Sequence, residues 1–99
     1  MIYLTRLVAR PPNASWPWGS HCKMFSEGVE ETIRFASMLG IESKWLCWAE
    51  DFPPFFRLAQ SKRNTAIALG AVVANDAVLE EFVCRAQAGE WCAMGGRVA

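Results

Sequence analysis

The chain has 99 residues, 53% of them apolar, with ten basic and ten acidic side chains and a formal net charge of zero. That length fits one domain, and the apolar content excludes a disordered chain and supplies a core without covalent staples. Neutral balance argues against a protein whose main work is gripping a phosphate backbone, and it weakens the self-repulsion that opposes association.

Residues 2–9 begin the chain with an apolar run interrupted only at Thr5 and Arg6, which predicts a first strand. Pro11 and Pro12 end it, because proline donates no ladder hydrogen bond. Residues 16–21, Trp-Pro-Trp-Gly-Ser-His, read as a loop that carries two indoles. Trp16 and Trp18 either fold back over the core or stand out as contact anchors. Residues 22–25 read as a short extended piece. Ser26 then offers a helix cap ahead of Glu27, Glu30 and Glu31, and Val29, Ile33, Ala36 and Leu39 recur at helical spacing. The helix expected over residues 27–39 stops at Gly40.

Residues 44–49 predict a second strand, with Trp45 and Cys47 on one face and Leu46 and Trp48 on the other. Residues 50–56 follow as a loop with Phe52, Phe55 and Phe56 around Pro53 and Pro54. Three phenylalanines cannot all hide within a loop's own turns, so they pack into a nearby core or form a sticky surface. The next helix starts somewhere between Phe55 and Lys62, with Ser61 as a candidate cap, and Gly70 marks its end. Residues 71–74 predict a short buried strand. Asn75 or Asp76 caps a last helix over residues 77–88, with Val78, Leu79, Phe82, Val83 and Ala86 inward and Glu80, Glu81 and Arg85 facing water. The domain is expected to span residues 1–90, with residues 91–99 as a tail that Trp91 pins at its start. The fold class is α/β (or α+β): a small three-stranded sheet, partly parallel, with about three helices on one or both faces.

No apolar run approaches the roughly 20 residues that span a bilayer. Residues 1–6 lack the features of a secretory signal, so the cytoplasm is the expected address and no membrane partner is expected. Cys22, Cys47, Cys84 and Cys92 show no Cys-x-x-Cys pair and read as reduced thiols. His21 is the only histidine, and one adjacent His-Cys pair does not make a zinc site, which needs four convergent ligands. On a strand His21 and Cys22 would point to opposite faces, which spoils a Cys-His nucleophile pair as well. No catalytic set and no cofactor or metal are therefore expected.

Two binding surfaces are expected instead. Trp16, Trp18, Phe52, Phe55, Phe56 and Trp91 are aromatic groups outside the regular elements. Interleaved with Arg10, Arg57 and Lys62 they could stack single-stranded bases. The same set is what a protein contact uses, with Trp16, Trp18, His21, Phe55, Phe56 and Arg57 as the expected contact residues. Ser61, Lys62 and Arg63, with Arg57 nearby, place cations at a helix start, where unpaired N–H groups attract phosphate. No glycine-rich loop precedes them, so they are not a P-loop. Zero net charge favours the protein partner, or self-association, over nucleic acid.

The run Trp18-x-x-His21, then Ala36-x-x-Leu39-Gly40-Ile41, then Lys44-Trp45, then Ser61-Lys62-Arg63-x-x-Ala66-x-x-x-Gly70-Ala71 resembles a small-domain family of unknown function common in phage and bacterial genomes. The resemblance covers residues 1–74, and the Ser61 to Ala71 block is its most specific part. That family carries a pair of aspartates at the end of its first strand and an aromatic-Asp pair before the Ser-Lys-Arg block. Here those places read Thr5-Arg6 and Phe55-Phe56-Arg57, so any carboxylate chemistry of the family is missing from this chain. The resemblance implies a phage or mobile-element setting and little about chemistry; together with the residues it gives a non-catalytic accessory protein as the expectation. Its partner would be a protein, with inhibition of a host complex such as a defence system as one concrete form.

Overall fold

A computed structural model describes residues 1–9 and 19–91. Its elements are β1 (Tyr3–Leu4), β2 (Val8–Ala9), β3 (Ser20–Phe25), α1 (Val29–Met38), a single 3₁₀ turn (Ser43–Trp45), β4 (Phe55–Leu58), α2 (Gln60–Ala68), β5 (Val72–Val73) and α3 (Asp76–Gln87). Three helices pack on one mixed sheet, so the α+β class is as expected, while the sheet has five strands rather than three.

Central strand β3 pairs antiparallel with β1 and β2 along one side and with β4 along the other. Strand β5 pairs parallel with β1 and forms an outer edge. The expected first strand is therefore two pieces. Leu4 lies opposite Met24 and Val8 opposite His21, so residues 5–7 face only residues 22–23. The extra residue is a bulge, and the Thr5 hydroxyl repairs part of the ladder by accepting from Lys23 N–H at 2.8 Å.

Pleating sorts the side chains into two cores. Leu4, Met24 and Phe56 lie abreast on adjacent strands and point at α1 and α2, where Ala36, Leu39 and Ala66 meet them. Tyr3, Phe25 and Phe55 lie abreast on the other face, under Phe82 and Ala86 of α3 and under Trp91. Phe25 touches Tyr3, Phe52 and Phe82 with ring centroids 5.0–5.7 Å apart, offset or edge-on as ring quadrupoles prefer. Trp91 stacks on Phe82 and donates from Nε1 to the Glu27 carbonyl, so it belongs to the core.

All three helices end in the same way. At Gly40, Gly70 and Gly89 the backbone takes a positive φ, and the next N–H reaches back to the carbonyl five residues earlier: Ile41 to Ala36, Ala71 to Ala66, Glu90 to Arg85. In α1 and α2 that link joins apolar pairs; in α3 it joins an ion pair, Arg85 with Glu90. Arg85 does not simply face water. It also pairs with Glu27 and Glu81 and lies over the Phe82 and Trp91 rings.

Several expectations need correction. Residues 44–49 are not a strand; only Cys47 bridges to Phe55, and Trp45 is exposed. Their alternation was apolar on both faces, a pattern that does not distinguish a strand from a wrapped connector. The proline-bracketed loop ends in a true strand, β4, because the two prolines stand just before it, where no ladder donor is needed. Gly28, not Ser26, caps α1; Ser26 is buried and its hydroxyl meets that of Thr32 at 2.7 Å. Ala59, not Ser61, precedes α2. Asn75 caps α3 as expected, accepting from Val78 N–H at 2.9 Å. Within residues 71–74 the strand is Val72–Val73, an exposed edge, while Ala71 and Ala74 on either side of it are buried as expected.

Candidate interaction edge

Trp16 and Trp18 lie outside the described residues. The rest of the aromatic set is core. Phe55 and Phe56 are buried on opposite faces of β4, and Phe52 is buried beside Phe55 at a ring distance of 5.7 Å. Of the two fates open to these phenylalanines, the sheet takes them inward. Arg57 alone of the β4 residues is exposed, and it stands directly opposite Lys23 of β3. The Lys23 ammonium leans over the Phe52 and Phe55 rings at 4.5 and 4.9 Å. His21 and Cys22 occupy opposite faces of β3, as the pleat requires. Cys22 is buried in the α1/α2 core, while His21 lines a cleft with Thr5, Arg6, Lys23 and Leu79. Burial pushes the Cys22 thiol up to about 11, although the nearby Arg63 guanidinium pulls it part of the way back. A neutral buried thiol is a poor nucleophile and a poor metal ligand.

The basic helix start is spent internally. Lys62 Nζ donates to the Leu39 carbonyl at 2.6 Å, at the C-terminal end of α1, where a cation is favoured. Arg63 Nε donates to the Thr5 carbonyl at 3.4 Å, beside the bulge. Ser61 is exposed and its carbonyl accepts from the Thr65 hydroxyl. The three residues are neighbours in sequence, yet they do not converge on one free anion position. Among the described residues no three of His, Cys, Asp and Glu gather in a way that would hold a metal ion. No helix among them is long and apolar enough to cross a membrane.

What sequence reasoning missed is the difference between the β4 and β5 edges of the sheet, whose third terminal strand is β2. The β4 edge is closed. Segment 46–47 folds against it, with Cys47 N–H donating to Phe55 at 2.7 Å and Phe55 N–H returning to Cys47 at 3.1 Å. Pro53 and Pro54 stand just before the strand and the exposed Arg57 lies within it, devices by which sheets discourage further pairing. The β5 edge has none of them. Val72 and Val73 are 43% and 42% exposed, on opposite faces of the strand, and Leu69 and Ile67 at the end of α2 are 47% and 41% exposed.

The backbone of β5 is half used. Val72 N–H donates to Ile2 and Ala74 N–H donates to Leu4, both at 2.9 Å. In a trans peptide the carbonyl points opposite to the following N–H. The carbonyls of Ala71 and Val73 therefore point away from β1, and ladder alternation turns the Val73 N–H outward with them. The signal was present in the sequence as an uncharged run, residues 69–74, Leu-Gly-Ala-Val-Val-Ala. Composition alone could not say which side of the run stays uncovered. No family model, curated protein or solved structure matches this chain.

Proposed function

We propose that this chain is a non-catalytic accessory protein that acts by binding protein, and that it does so by adding a strand to the β5 edge. One observation carries the reading: an apolar edge at Val72–Val73 with outward peptide groups and no charge, proline or bulge in the strand itself, on a sheet whose β4 edge is guarded. Main-chain pairing supplies affinity in such a complex, and the side chains on either face of the added strand supply selectivity. Val72, Val73, Leu69 and Ile67 would meet an apolar, β-branched partner segment. The aromatic loop around Phe55 is set aside as a contact surface, because its rings hold the core together. A phosphate-binding role for Lys62 and Arg63 competes with the carbonyls they already serve. Inhibition of a host complex is the concrete form that the phage resemblance implies for such a binder.

The test is a pull-down from a lysate of the source cells, with and without nuclease, using the wild-type chain and Val73→Lys. The wild type is expected to retain a stoichiometric protein that survives nuclease. Val73→Lys should lose it at least tenfold while keeping its melting behaviour. Equal capture by Val73→Lys would refute the edge as the binding surface. Bound material lost with nuclease would transfer the reading to Lys62 and Arg63.

A further inference from the structure

We infer that the strand accepted by β5 is β5 of a second copy of this chain, antiparallel and centred on Val73. The inference rests on the protein-binding reading above and narrows it to one partner. Three features of the edge support it.

The first is the pattern of free main-chain groups. The outward acceptors are the carbonyls of Ala71 and Val73, fixed by the inward Val72 and Ala74 N–H bonds. The outward donors are the N–H groups of Val73 and, by the same alternation along its extended backbone, Asn75. Place a two-fold axis at Val73. Val73 N–H of each copy then meets the Val73 carbonyl of the other, and Asn75 N–H meets the Ala71 carbonyl. Every outward donor has an acceptor at the matching position, so the edge is complementary to itself. A two-fold interface requires that self-complementarity.

The second is side-chain fit. In this register Val73 faces Val73, Val72 faces Ala74, and Ala71 faces Asn75. Pairs of β-branched and small residues suit cross-strand neighbours, and no bulky pair collides.

The third is charge. From residue 69 to residue 75 no side chain is ionisable. The nearest ionisable side chain in sequence, Asp76, lies beyond the strand in the first turn of α3 and is paired with Arg6 at 4.0 Å, so it does not set like charges against each other across the strand. A foreign strand would find no charge here by which to be selected, whereas a second copy is selected by symmetry. Pairing of one short strand with its flanking apolar side chains makes a small interface, of the weak and transient class.

Sedimentation velocity from about 10 µM to about 1 mM chain tests the proposal, over concentrations suited to a weak interface. The wild type should pass from monomer to dimer across that range. Val73→Lys and Val73→Glu, each measured alone, should be at least tenfold weaker, because like charges then face each other across the axis. An equimolar mixture of the two should recover dimer, as a heterodimer, to within about threefold of wild type. A wild type that stays monomeric at 1 mM overturns the inference without relying on any variant. A wild-type dimer unchanged by Val73→Lys overturns it too, because another face is then responsible. If the wild type is monomeric but still captures a lysate protein through Val73, the self-pairing inference falls and the protein-binding reading stands.

Discussion

At Cys22 one methylene and one sulfur decide a pH dependence. The thiol sits in the α1/α2 core and is held neutral by burial, with its ionisation pushed up to about 11. In the unfolded chain the same thiol ionises near pH 9, so between about pH 9 and 11 the native state binds more protons than the unfolded state. Stability is therefore expected to fall as pH rises through that window, by about 2–3 kcal/mol from this group. Urea titrations of wild type and Cys22→Ala at pH 8 and pH 10.5 check it: the wild type's advantage should shrink at the higher pH. An advantage that holds at pH 10.5 would contradict the assignment. The neighbouring cations show the same economy. Lys62 and Arg63 looked like an anion site because the sequence lists charges without their acceptors. The acceptors are carbonyls of Leu39 and Thr5, distant in sequence and brought close by the fold.

Among the elements, the helices were legible because their signals are local. Amphipathic spacing, Asn75 and the glycines at 40, 70 and 89 each act within a few residues, and each appears where the sequence puts it. Strands were less legible because their partners are not local. Residues 20–25 became the centre of the sheet only because β1, β2 and β4 all bond to them. Residues 44–49, equally apolar, met only Phe55 and stayed a connector. The candidate site was missed for the same reason: whether residues 71–74 are buried or marginal depends on which strand lies beyond them. Between β3 and β4 the sheet also carries an evident cost. Lys23 and Arg57 are directly opposed like charges, which destabilises a cross-strand pair by a few tenths to about 1 kcal/mol. Arg57→Glu is expected to raise stability by up to about that amount, since the exposed carboxylate would face the Lys23 ammonium. A lower melting temperature for Arg57→Glu would mean that Arg57 is engaged elsewhere.

Taken as a whole, the molecule is a mixed sheet with helices on both faces and with its β4 and β5 edges treated differently. One face is covered by α1 and α2 and the other by α3 with Trp91, apart from the cleft lined by Thr5, Arg6, His21, Lys23 and Leu79. Among the described residues, the β5 edge is where unused peptide groups and exposed valines coincide. A neutral chain has little long-range field with which to steer a partner, so the proposed recognition at that edge rests on contact chemistry.

The most direct test of that account is amide hydrogen exchange at Val72, Val73 and Ala74, followed by NMR from dilute chain to the concentration at which complex forms. In dilute solution the account predicts that Val73 exchanges about a hundredfold or more faster than Val72 and Ala74, whose N–H groups are bonded to β1. As the complex fills, Val73 should slow towards its neighbours. A Val73 amide already protected in the dilute chain, or one that stays fast while the complex forms, would contradict the claim that β5 is the open and working edge.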